Sequence, residues 1–210
     1  MSTLYTTADR QMPSALWEQH LDAGMHICQL FSDEDDRLEA MTRYLVSGIE
    51  AGQRCGCWTF DDAGALLDGE CVASGNSMGD AHTRGQLSFE DADDVWFADG
   101  RFDPERLLSH LSNFHDQDGG GRTWGGARIV AEISPAIPEM PGGGRLIEYE
   151  VEVNRLLHGK PMMVVCQYDL NRFSGSVLLD VLRVHPYVMI RGNVMPNPFY
   201  HPADDTLAAA

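Results

Sequence analysis

Short apolar runs alternate with amphipathic stretches along the chain. Residues 25–31 read Met-His-Ile-Cys-Gln-Leu-Phe, an apolar run of strand length. Ser32 or Asp33 then caps a helix whose apolar positions, Leu38, Met41, Leu45, Val46 and Ile49, follow helical spacing, and Gly52 closes it. Further strands are predicted at 54–60, 86–89, 127–133, 162–168 and 187–194. Further helices are predicted at 14–21, 61–67, 103–118, 146–158 and 174–184. Asp103 caps the third of these, with Pro104 at its first helical position. Residues 71–85 read as a loop, and 134–144, rich in Pro and Gly, as a loop able to act as a lid. Strands apolar on both faces, alternating with helices, predict an α/β fold: three layers, a mainly parallel sheet, helices on both faces. The expected organisation is a tail with a short helix over 1–22, one domain over 23–200, and a disordered tail over 201–210.

Charge narrows the function. The formal net charge is −17, and the 15 Lys and Arg residues are scattered without a basic stripe. Such a surface repels phosphate backbones and anionic lipid, which argues against direct nucleic-acid or membrane binding. No apolar run approaches the roughly 20 residues of a membrane span, and residues 1–22 lack a signal pattern, so a cytoplasmic location is expected. Of five cysteines, Cys28, Cys55, Cys57 and Cys166 lie in or beside strand-like runs, where they read as buried thiols.

The turn after the first strand is where this architecture places a phosphate loop. Here it reads Phe31-Ser-Asp-Glu-Asp-Asp36, without the Gly and Lys that nucleotide phosphates need. Nucleotide hydrolysis by that route is therefore not expected. No Ser-His-Asp or Cys-His-Asn arrangement stands out, and His185 before Pro186 reads as a helix end, so a non-enzymatic role is expected. His26 and Cys28 share one face of a strand, as do Cys166 and Tyr168. If those strands are neighbours, His26, Cys28 and Cys166 become candidate metal ligands. Glu132 and Asp169 stand near the carboxyl ends of two strands, the edge at which open α/β sheets bind ligands. Glu148, Tyr149, Glu150 and Asn154 open a helix nearby. The candidate ligand-binding set is therefore His26, Cys28, Glu132, Glu148, Cys166, Tyr168 and Asp169, and no cofactor is required. The aromatic segment 93–97 is a candidate pocket or partner surface, with Trp96, Phe97 and residues 196–201 as contacts.

The run His26-Ile-Cys28, the acidic turn and Gly48-Ile-Glu-Ala-Gly52 resemble the start of the MEDS domain, the methanogen/methylotroph sensory domain of dichloromethane-regulator-like proteins. So do Gly85-Gln-Leu87, Gly100-Arg-Phe-Asp-Pro104, Ala131-Glu132, Ile147-Glu-Tyr-Glu150 with Asn154, Cys166-Gln-Tyr-Asp169 with Arg172-Phe173, His185-Pro186 and Asn197-Pro-Phe-Tyr200. The resemblance implies a RecA-like or KaiC-like fold without a phosphate loop. It also implies a sensory role towards a small organic ligand, of the simple hydrocarbon-derivative class. No output module is visible in these residues, so signalling would pass to a partner protein such as a histidine kinase or transcription regulator. Two other expectations stay open: a degenerate RecA-like scaffold for protein–protein interaction, self-association included, and a His/Cys metal-binding protein.

Overall fold

The computed structural model describes residues 24–60, 78–116 and 124–202. Among them are seven strands: β1 (His26–Phe31), β2 (Arg54–Thr59), β3 (Leu87–Asp91), β4 (Ala127–Glu132), β5 (Met162–Asp169), β6 (Tyr187–Ile190) and β7 (Asn193–Pro196). They form one sheet in the order β3-β2-β4-β5-β1-β6-β7, parallel except for the β6–β7 pair. The helices are α1 (Glu34–Glu50), α2 (Met78–Thr83), α3 (Ala92–Trp96), α4 (Pro104–Asp116), α5 (Leu146–Leu157) and α6 (Gly175–Val184). Parallel neighbours need crossover connections, and helices α1, α5 and α6 supply them around the central strands.

Alternation along each strand divides the core into two layers. Ile27, Cys57, Val130 and Val165 pack with α1 and α2 on one face. Cys28, Trp58, Ile129, Ala131, Val164 and Cys166 pack with α3, α4, α5 and α6 on the other. The three-layer expectation holds, because each central strand must bury both faces. α1 starts where its sequence dictates: the Asp33 carboxylate accepts from the Asp36 backbone N–H at 3.2 Å, with Glu34, Asp35 and Asp36 in the first turn. Gly48 lets α1 approach the sheet, since a Cβ there would stand 2.7 Å from both Arg128 Cδ and Cys55 Sγ.

Three expectations need correction. Residues 78–83, inside the segment expected to be a loop, form helix α2, with Met78 and Ala81 buried against the sheet. The single last strand expected over 187–194 is a hairpin. Arg191 and Gly192 take positive φ, 48° and 72°, and turn the chain back so that Val188 pairs with Met195. The 134–144 segment is no loose lid. It folds into 3₁₀ turns at Ile137–Glu139 and Gly143–Arg145, Ile137 is fully buried, and a Cβ on Gly143 would lie 1.6 Å from the Ile137 carbonyl oxygen. The helices expected at 14–21 and 61–67 lie outside the described residues. No helix among the described residues is long and apolar enough to cross a membrane.

Candidate functional site

Three polar assemblies among the described residues are candidates for a site. The first lies between the sheet and helices α5 and α6. β1 and β5 are neighbours, with His26 opposite Val164 and Cys28 opposite Cys166, so His26, Cys28, Cys166 and Tyr168 all project to the same layer. Glu150 descends into it from α5 and is fully buried, and His185, at the end of α6, is fully buried beside it. Glu150 Oε2 lies 3.2 Å from His26 Nε2, 3.5 Å from His185 Nε2 and 3.7 Å from Cys166 Sγ. The Tyr168 hydroxyl donates to Glu150 Oε1 at 2.5 Å. The two imidazoles lie with centroids 4.1 Å apart.

Each ring is held from behind. His26 Nδ1 is 3.0 Å from Asn154 Oδ1, and the Asn154 amide is oriented by its N–H donation to the Val184 carbonyl at 2.6 Å. His185 Nδ1 is 2.8 Å from the Val181 carbonyl oxygen. Both Nδ1 atoms therefore carry hydrogen, and both Nε2 atoms turn towards Glu150. Burial pushes the Glu150 carboxyl up, but the hydrogen bond from His26, the neighbouring imidazoles and the Tyr168 hydroxyl outweigh it and hold the group below the usual carboxylate range. Burial and then the Glu150 charge push the Tyr168 hydroxyl and the Cys28 and Cys166 thiols well up. Burial and then His26 push His185 down to about 3, so its ring is neutral.

The second assembly occupies the phosphate-loop position, across the carboxyl ends of β1, β5, β4 and β2. Arg37, fully buried, reaches from the first turn of α1. Its Nη1 donates to Glu132 Oε2 at 3.2 Å, Thr59 Oγ1 at 3.4 Å and Gln167 Oε1 at 3.4 Å. Its Nε and Nη2 donate to Glu34. Thr59 donates to Glu132 at 2.9 Å, and Gln167 to Gln29 at 2.9 Å. An anion placed here would meet Glu34 and Glu132, and the buried Arg37 guanidinium is already engaged by both.

The third assembly is a cavity of about 330 Å³ at the β3 side of the sheet, lined by Phe89, Glu90, Asp91, Asp94, Val95, Arg106 and His110. Glu90 accepts from Trp58 Nε1 at 2.9 Å and lies 2.9 Å from His110 Nε2. Burial pushes the Glu90 carboxyl up, but His110, Trp58 and Arg54 more than offset it and the carboxyl titrates below its usual range. Three carboxylates therefore face one guanidinium and one imidazole.

Of the seven sequence candidates, the structure gathers His26, Cys28, Cys166 and Tyr168 on one buried layer and leaves the other three apart. His26 opens β1, so the cluster lies under the sheet's middle and its amino side, away from the carboxyl edge where Glu132 and Asp169 stand. Glu132 is engaged by Arg37 on the opposite face, and Glu148 pairs with Arg145 on the exposed side of α5. Asp169 caps its own turn, accepting from the Asn171 backbone N–H at 2.8 Å. Trp96, a candidate partner contact, is buried and donates to the Glu132 carbonyl at 2.7 Å. Glu150 was one of several helix carboxylates in the sequence, and His185 read as a helix end; the fold makes them the centre of the cluster. Arg37 had a signal, since it shares the buried stripe of α1 with Met41, Tyr44, Leu45 and Gly48.

A family model, the MEthanogen/methylotroph, DcmR Sensory domain, matches residues 25–186. No curated protein matches the chain. Among solved structures, the chain is similar to the flagellar accessory protein FlaH from Methanocaldococcus jannaschii. The TM-score is 0.58 at 11% identity, covering 86% of this chain and 79% of that one. It is also similar to a KaiC-like protein from the hyperthermophilic archaeon Pyrococcus horikoshii OT3, at TM-score 0.53 and 10% identity, covering 80% and 71%. At such identities the likeness concerns the fold, which is RecA/KaiC-like and carries no phosphate loop after β1.

Proposed function

The chain belongs to the MEDS family of sensory domains, and we propose that it binds a small organic ligand in the cavity beside β3 and reports its presence to a partner protein. The cavity is the observation that carries this reading. It lies at the carboxyl end of the edge strand β3, between that strand and helices α3 and α4, and at about 330 Å³ it suits a small molecule. Its lining selects by charge. Glu90, Asp91 and Asp94 outnumber Arg106 and His110, which favours a hydroxyl or amine donor over a carboxylate or phosphate. The cavity wall is also a segment with stored backbone strain: α3 runs into a 3₁₀ turn at Ala98–Gly100, where Asp99 takes φ 62°. A ligand that prefers one arrangement of residues 91–100 shifts that segment's population and alters the surface a histidine kinase or transcription regulator would read.

A thermal-shift screen of small alcohols and amines on the full chain tests this. A ligand at 100 times its Kd stabilises by about 2.7 kcal/mol, or roughly 5–10 °C for a chain of this size. Glu90→Gln and Arg106→Ala should each abolish the shift. A panel without any stabilising compound, or a shift indifferent to both substitutions, would refute the cavity as the ligand site.

A further inference from the structure

The buried cluster of His26, Glu150, Cys166 and His185 has too few protons for its acceptors. Nδ1 of His26 carries its hydrogen towards Asn154, and Nδ1 of His185 towards Val181. With both rings neutral, both Nε2 atoms would present lone pairs to Glu150 Oε2, at 3.2 and 3.5 Å, and only a hydrogen on His26 Nε2 supplies the hydrogen bond that Glu150 accepts from that ring. The Tyr168 hydroxyl is spent on the other oxygen, Oε1. The Cys166 thiol is then the one side-chain proton left for three acceptor atoms. A proton added at His26 Nε2 satisfies the His26–Glu150 contact, yet His185 Nε2 stays buried with no hydrogen-bond partner. Leaving a buried polar atom unsatisfied is unfavourable, so the arrangement points to something positive among these atoms.

The spacing identifies it. Each of the four residues offers one ligand atom, and the four atoms lie within 4.8 Å of one another. Zinc bonds of about 2.0–2.1 Å to nitrogen, 2.0–2.2 Å to oxygen and 2.3 Å to sulfur imply ligand–ligand separations of about 3.3–3.6 Å in a tetrahedron. Four of the six edges are 3.2 Å (His26–Glu150), 3.4 Å (His26–Cys166), 3.5 Å (His185–Glu150) and 3.7 Å (Cys166–Glu150), and the two from His185 to His26 and Cys166 are within 4.8 Å. The supporting contacts have the pattern of a metal centre's outer shell: an amide oxygen behind one imidazole, a backbone carbonyl behind the other, and a phenol on the free carboxylate oxygen. A doubly charged cation with one carboxylate, one thiolate and two neutral imidazoles is neutral overall, which a fully buried site requires.

We propose that His26, Glu150, Cys166 and His185 bind a single divalent transition-metal ion in tetrahedral coordination, with zinc the best fit to this donor set. Cys28, Cys166's register partner, stands outside the four. The ion enters before α6 and β6 close over it, or through their local opening. Cys166 releases its thiol proton to solvent as the sulfur–metal bond forms. The proposal does not depend on the organic-ligand cavity, and either can fail alone.

The test is metal analysis of the full chain, purified without a histidine tag, and refolded with zinc or cobalt(II) and dialysed. One equivalent of metal is expected, and the cobalt form should show the intense visible spectrum of a tetrahedral ion with a thiolate charge-transfer band. Cys166→Ser should remove that band, and Asn154→Ala should weaken zinc affinity about 10–100-fold. Cys57→Ser, on the opposite face beside Met41, should change neither. The wild-type cobalt spectrum decides even where a variant fails to fold. Substoichiometric metal in both purified and refolded protein, or bound cobalt without the thiolate band, would overturn the proposal.

Discussion

Removal of Arg37 should harm folding strongly without touching either proposed site. Its side chain is 0% exposed, and Glu132, its partner, is 12% exposed. Arg37→Met keeps the apolar stem of the side chain and deletes the guanidinium. Glu132 is then left with the Thr59 hydroxyl at 2.9 Å and the Phe60 N–H at 3.4 Å as donors, too little to replace a charge-assisted bond at the sheet edge. Breaking a buried pair from one side costs about 3–5 kcal/mol, which corresponds to a fall in Tm of about 6–20 °C here. Equilibrium unfolding in urea measures the loss, and circular dichroism confirms that secondary structure persists. Arg37→Met/Glu132→Gln removes both charges, so it should cost less than the sum of the single changes by roughly 1–3 kcal/mol. A loss under about 1 kcal/mol for Arg37→Met, or strictly additive single and double variants, would refute the claim that this ion pair organises the edge.

Gly143→Ala forces a Cβ against the Ile137 carbonyl and should cost about 3 kcal/mol or more, whereas Gly144→Ala next door meets nothing within 4 Å and should be neutral; denaturant midpoints compare the two. Glu90 has a folded pKa below its unfolded value of about 4.3, so the unfolded chain binds more protons and stability rises with pH across that interval. Its contribution is present above the unfolded pKa and lost as pH falls through the folded one. Glu90→Gln should therefore flatten the acid limb of a Tm–pH curve, and an unchanged limb would count against the ionised Glu90 described here.

Much of this was legible from spacing. The buried strands, the Asp33 cap, the start of α4 at Pro104 and the shared face of His26 and Cys28 all depend on near neighbours in the chain, and periodicity reports those. The ends were harder. α2 has only six residues and stays helical because Met78 and Ala81 have a sheet to cover, a force that no local pattern contains. The hairpin at Arg191-Gly192 was masked by apolar residues on both sides, so the turn disappeared into one apparent strand.

The sites divide in the same way. The sequence by itself determined that no phosphate loop follows β1, that His26 and Cys28 project together, and that a family of sensory domains is represented. Tertiary structure decided which carboxylate matters. Glu148 and Glu150 are two residues apart on α5, which turns one towards Arg145 in solvent and the other into the core. It also brought His185 to His26 across 159 positions of chain, a distance that only the parallel pairing of β1 with β6 abolishes. Chain connectivity carries no trace of such a meeting, because burial of the α6 face sets it, and the four-residue cluster therefore exists only in the folded protein.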